Sequence, residues 1–162
     1  MERKSLGHMQ CPIARSLERV GEWWSILILR DAFYGLTRFD QFEQSLGIAP
    51  NMLTRRLKAL VESGLLERRL YQERPARYEY VLTKRGEDFR PVLLTLLAWG
   101  NRHFAPEGKS LDLVDPTTGH SIDPVLMDGH TEHRIDRRNS RVVAGPAADA
   151  AMRRRLDRHP DL

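Results

Sequence analysis

Between Phe39 and Leu82 the period of the apolar residues changes, and no other feature constrains the fold so tightly. As far as Gly64 they recur at helical spacing, in blocks that glycine closes; beyond it they fall into two short β-rich runs. The first block, opened by Thr37 as N-cap and bracing as Arg38–Ser45, turns Phe39, Phe42 and Leu46 inward and stops at Gly47. Ala49-Pro50 opens the second, because proline suits N1 and pushes its predecessor into the extended region that an N-cap uses. Leu53, Leu57, Leu60 and Val61 line its inner face as far as Ser63. The runs Leu65–Tyr71 and Arg77–Leu82 then flank a basic, proline-containing tip, as in a hairpin.

Elements on either side extend this frame. Pro12 suits the first turn of a helix with Ile13, Leu17 and Val20 on one face. Trp23 to Phe33 is apolar around most of its circumference, which predicts a central helix closed by Gly35. Thr83 caps a last long helix, predicted to run to Phe104 with a bend at Pro91. After Pro106-Glu107-Gly108 the character changes. Leu111–Val114 and Ile122–Met127 read as a small hairpin, Arg134–Gly145 as a loop, and Pro146 as the start of a polar terminal helix. No internal repeat is apparent. The expected division is residues 1–105 as the main domain and 106–162 as an extension.

Composition narrows the classes of function. The 162 residues are 41% hydrophobic and 30% charged, with no apolar run near the ~20 residues of a spanning helix. The start Met1–His8 lacks the apolar core of a secretory signal, and a single cysteine excludes an internal disulfide framework; both suit a reducing cytoplasm. The net charge is +4, and the excess lies before Pro106, where 17 basic residues face 12 acidic ones. Seven of the basic residues stand between Arg55 and Arg77.

Helix, glycine turn, helix and hairpin is the layout of a winged helix-turn-helix, a mainly α fold with a small β wing. The inward leucines leave Asn51, Thr54, Arg55 and Lys58 on the outer face of the second helix, side chains suited to base edges and phosphates in a major groove. Arg38 sits at the bracing helix, and Arg74 and Arg77 flank Pro75 at the wing tip, placed for phosphates or a minor groove. Double-stranded DNA is therefore the expected partner. A protein-interaction module using the same face is the alternative, marked by a shallow salt dependence. An enzyme with Cys11 as nucleophile lacks a motif that pairs the thiol with a base, and none is expected.

At this point the residues become recognisable. Cys11-Pro12-Ile13-Ala14, Trp24-Ser25-Ile26-Leu27-Ile28-Leu29-Arg30-Asp31, Arg38-Phe39-Asp40-Gln41-Phe42, Leu53–Leu60 and Tyr78–Gly86 together resemble the HxlR-type branch of the MarR-like bacterial regulators. The resemblance spans about residues 10–105, and Trp99-Gly100 looks like the family signature of the last helix. It implies a homodimeric transcription factor on palindromic promoter DNA, paired through the N-terminal segment and the helix after the wing. Ala49 departs from the pattern, since similar proteins often carry a hydroxyl residue there.

Two further sites are nominated. In several similar regulators the cysteine of the Cys-Pro motif senses oxidants or electrophiles, and a helix N-terminus favours the thiolate of Cys11; the alternative is an inert interface thiol. Trp23, Trp24, Phe33, Tyr34 and Trp99 are candidates for an effector pocket for a small molecule, set against the commoner role of core aromatics. His120, His130 and His133 with Asp123 and Asp128 match no strong metal spacing, so neither metal nor cofactor is expected.

Overall fold

The structure is a computed structural model that describes residues 5–158. Its elements are α1 (Pro12–Val20), α2 (Trp23–Phe33), α3 (Phe39–Leu46), α4 (Pro50–Glu62), β1 (Leu66–Gln72), β2 (Arg77–Leu82), α5 (Lys84–Glu87), α6 (Arg90–His103) and α7 (Ala150–Asp157). The described residues form two compact units, one built from Ile13–Leu93 with residues 5–8, the other from residues 94–158 with Met9–Pro12. This division falls inside α6, upstream of the composition break at Pro106. Phe89 and Leu93, around the start of α6, pack on the core of the first unit; further along the helix, Asn101 donates to the Leu111 carbonyl at 2.9 Å in the second.

The first unit is a winged helix-turn-helix. Leu53, Leu57 and Leu60 of α4 are fully buried with Phe42 of α3 and with Ile28 and Leu29 of α2. Gly47 ends α3 at φ 59°, a left-handed turn that a residue with a Cβ would adopt at a cost. Ala49 is extended and Pro50 stands at N1, as the sequence predicts. Thr37 is not the cap of α3. Arg38 occupies that position, and the Gln41 side-chain oxygen accepts both the Thr37 and Arg38 N–H groups at 3.0 Å. This frees the Thr37 carbonyl to accept from the Tyr80 N–H at 2.7 Å, and Arg38 forms an isolated bridge with Glu79, so the segment before α3 is tied to the edge of the two-stranded wing.

The wing itself is an antiparallel pair running from Leu66↔Leu82 to Gln72↔Arg77, with a bulge between Leu70 and Gln72. Its base is fastened to the end of α4. The Thr83 hydroxyl donates to the Gly64 carbonyl at 2.6 Å, and Arg85 donates to the Ser63 carbonyl at 2.9 Å. Gly86 lies so close to this junction that a Cβ would stand 2.1 Å from the Leu65 carbonyl oxygen.

Three expectations from the sequence need correction here. On α1 only Val20 of the predicted face joins the core; Ile13 is 72% and Leu17 45% exposed. The helix after Thr83 does not bend at Pro91 but breaks into α5 and α6, because Pro91 has no N–H to continue the ladder and its ring crowds the carbonyl four residues back. Pro146 does not open the terminal helix. Asp149 does so, its carboxylate accepting from the Met152 N–H at 2.7 Å.

The extension also differs from the predicted hairpin. Leu113 accepts from Ile122, and Asp115 donates to His120, but the ladder stops there. The next donor would be Pro124, which has no N–H, and its acceptor, the Leu111 carbonyl, is taken by Asn101. The chain instead repeats the same turn further on. Gly119 donates to the Asp115 carbonyl and Glu132 to that of Asp128, each residue with positive φ, and each turn is closed by a carboxylate accepting backbone N–H groups. This repeat is hidden in the sequence because Asp115-Pro116-Thr117-Thr118-Gly119-His120 and Asp128-Gly129-His130-Thr131-Glu132-His133 share only aspartate, threonine and histidine.

Gly86→Ala is expected to destabilise the first unit by about 2–3 kcal/mol, since backbone rather than a flexible side chain must yield; an unchanged urea midpoint would contradict this. The carboxyls of Asp115 and Asp128 are held below the usual range by the N–H groups they accept. Their contribution is whole above the unfolded value of about 4 and is lost as pH falls through the lower folded value. NMR of the Thr117, Thr118 and His130 amides should show both turns loosening on acidification below that range and unchanged above it.

Candidate nucleic-acid interface

The seam of leucines in α4 fixes which side chains face outward. Asn51, Thr54, Arg55 and Lys58 are all exposed. Asn51 accepts from the Met52 N–H at 2.7 Å, and Ala49 makes no side-chain cap hydrogen bond. Thr54 donates to the Pro50 carbonyl at 2.8 Å, a bond within its own helix that holds the hydroxyl on the outer face. The Arg55 guanidinium meets only the weakly accepting Met52 sulfur, at 3.1 Å. Lys58 lies 3.8 Å from Glu62, both more than half exposed, a pairing worth little in water.

The structure sorts the seven basic residues of Arg55–Arg77 by what they touch. Arg56, one step of about 100° round α4 from Arg55, is turned toward the protein. It pairs at 3.1 Å with Glu22, the N-cap of α2, and is largely buried. Arg69 is held by Glu67 through two contacts, at 3.0 and 3.3 Å, and that hydrogen bonding draws the Glu67 carboxyl below its ordinary range. Arg68 stacks over the Tyr78 ring at 3.5 Å, a diagonal contact across the strand pair. Arg55, Lys58, Arg74 and Arg77 are left for an external anion.

Arg74 and Arg77 are exposed at the wing tip, where the Gln72 amide braces the turn by donating to the Arg74 carbonyl at 3.1 Å. Arg38 is exposed at the start of α3, its guanidinium 4.7 Å from the Tyr71 ring. Bracing helix and wing thus share a stacking contact as well as backbone bonds. The sequence reading passed over Tyr71, Tyr78 and Arg68 here. The signal was present in the alternation of arginine and tyrosine across the hairpin, but the register had to be known before the pairs could be assigned.

The aromatic residues nominated for an effector are dispersed in role. Trp24 packs against the core, while Trp23 (72% exposed) and Tyr34 (60%) lie in solvent; Phe33 is half-buried. Trp99 is half exposed and meets Phe104 edge-on at 4.8 Å. A cleft of about 260 Å³ does occur in the second unit, but Leu94, Leu97, Asn101, Leu113 and Ile122 are among its walls and none of those five aromatics is. Cys11 is half-buried directly ahead of Pro12. Among the described residues no group of three or more histidine, cysteine or carboxylate side chains is placed to hold a metal ion. Asp128 accepts instead from the His130 N–H and the Thr131 hydroxyl, at 3.0 and 2.7 Å. No described helix is long and apolar enough to cross a membrane.

Comparison with known proteins agrees with this geometry. Residues 19–108 match the model of the HxlR-like helix-turn-helix family. The chain is 40% identical over 141 residues to the uncharacterized HTH-type transcriptional regulator Rv3095 of Mycobacterium tuberculosis, covering 86% of this chain and 89% of that one. Among solved structures, the candidate transcription factor PA1374 of Pseudomonas aeruginosa is 59% identical, with a TM-score of 0.66 over 90% of this chain and all of its own. The redox regulator HypR in its reduced form shares 29% identity at a TM-score of 0.55, over 60% of this chain and 99% of its own. With the family model covering more than half of the chain and these relatives alongside, the protein is a member of the HxlR-like helix-turn-helix family of transcriptional regulators and not an enzyme.

Proposed function

We propose that the protein acts in the cytoplasm as a homodimer on palindromic promoter DNA, with α4 of each copy in successive major grooves about one helical turn apart. The observation that carries this reading is the outer face of α4: Arg55 and Lys58 lack firm protein partners while their neighbour Arg56 is tied inward. In this reading Asn51, Thr54, Arg55 and Lys58 meet base edges and adjacent phosphates. Arg38, Arg74 and Arg77 hold the flanking backbone.

The apolar residues left outside the core support pairing of two copies. On α6, Val92, Leu96 and Trp99 recur at i, i+4 and i+7 and are 46%, 39% and 52% exposed. Ile13 and Leu17 on α1 are likewise uncovered. A second copy is the partner that buries like against like under two-fold symmetry.

Oxidation supplies the signal in this reading. Two Cys11 thiols, one from each copy, would give up two protons and two electrons to a diazenedicarboxamide oxidant, which takes them up as the hydrazine. The product is a disulfide across the dimer.

In fluorescence-anisotropy titrations Arg55→Ala should weaken operator binding by about 1–3 kcal/mol and relax sequence choice. Arg74→Ala should lower affinity for all duplexes alike and reduce the salt slope by about 1. Titrations in which both variants match the parent on every duplex would refute these roles. Treatment with the oxidant should give a cross-linked dimer on non-reducing gels that Cys11→Ser abolishes, and the same treatment should change duplex affinity in the parent alone. Absence of the cross-link would remove the disulfide route.

A further inference from the structure

Charge in the extension is sorted along the chain. Between Pro106 and His133 six acidic residues face one basic residue, Lys109; from Arg134 to Arg158 eight arginines, and no lysine, face three aspartates. All eight arginines are exposed. Arg153 is occupied, its guanidinium donating to the Ala148, Gly145 and Pro146 carbonyls. Among the described residues the other seven guanidinium groups have neither an ion pair nor a hydrogen bond.

Among the described residues none of the nearby acids is paired with them: Asp157 is exposed and makes no ion pair, and four others are engaged with the backbone. Asp136 accepts the Arg138 and Asn139 N–H groups, Asp149 caps α7, and Asp115 and Asp128 close their own turns. The arginines are also displayed rather than loose. The Asp136 turn, closed further by the Asp136 N–H to the Asn139 side chain at 2.9 Å, carries Arg137 and Arg138 outward. On α7, Met152 and Leu156 are half-buried at i and i+4, while Arg154, Arg155 and Arg158 are exposed.

Eight arginines against three aspartates leave the arm with an excess of +5, a like-charge repulsion that a polyanion relieves. Guanidinium throughout, without ammonium, suits phosphate oxygens met in bidentate fashion. An interfacial helix would need a free apolar face, and the two large apolar side chains of α7 are turned inward.

We infer that the arginine arm from Arg134 to Arg158 is a second DNA-contacting surface, which adds phosphate contacts to those of the α4 face. This rests on the DNA-binding reading above. The arm adds affinity and salt dependence without adding sequence choice, since phosphates carry no base identity.

The test is anisotropy across a salt series with the full chain and two variants, Arg154→Gln/Arg155→Gln/Arg158→Gln and Arg137→Gln/Arg138→Gln/Arg141→Gln. Circular dichroism verifies that helix content is retained. Every phosphate that a variant no longer neutralises should lower the salt slope by about 0.9, so a triple variant should fall by about 2 to 3 in slope while keeping the parent's ranking of duplexes. If both variants keep the parent's slope and affinity, the arm is refuted and the α4 reading stands. A parent that binds no duplex refutes both. Capture of the parent, but not the variants, by phosphatidylglycerol vesicles with an unchanged duplex slope would assign the patch to lipid and overturn the proposal.

Discussion

The seam of Leu53, Leu57 and Leu60 against Phe42, Ile28 and Leu29 is the constraint on which the rest of the first unit depends. A helix buried along one stripe has its rotation about its own axis decided. Once those leucines are inside, Asn51, Thr54, Arg55 and Lys58 have no option but solvent or a ligand. The same packing sets α3 across the start of α4 and brings the chain out at Gly64, where the wing begins. Thr83, Arg85 and Gly86 then close the wing on the end of α4 through backbone carbonyls, so the hairpin leaves the domain in one direction.

Charge is distributed by the same logic. Adjacent arginines in α4 differ in fate because one faces Glu22 and the other faces water; the first staples two helices, the second is available. Along the wing, Arg69 is neutralised by Glu67 and Arg68 is laid on Tyr78, which leaves the tip arginines as its free cations. A count of basic residues says that an anionic partner is plausible; their individual contacts say which of them it would meet.

The extension obeys a different economy. It has little buried apolar surface, and its order comes from carboxylates that accept backbone N–H groups in repeated turns. Those bonds engage Asp115, Asp128 and Asp136 with the backbone rather than with the arginines. Asp123 reaches a basic partner across the unit, Arg102 of α6, at 3.5 Å and with both groups more than half exposed.

Much of the first unit was legible in the sequence because its signals are local. Gly47, Pro50 and Gly64 punctuate the helices through backbone conformation alone, and the leucine spacing names the inner face of α4 without reference to any neighbour. The family motifs led to the same fold. What the residues could not disclose were choices made between segments: that Gln41 rather than Thr37 satisfies the start of α3 because the Thr37 carbonyl is needed by the wing, that Arg56 turns inward to Glu22, and that Ile13 and Leu17 stay outside the core. The early end of the ladder in the extension was hidden for the same reason, since Asn101 of α6 takes the Leu111 carbonyl opposite Pro124. Period and punctuation fix elements one at a time, whereas the partner of a given donor, charge or ring is settled only when distant segments compete for it in space.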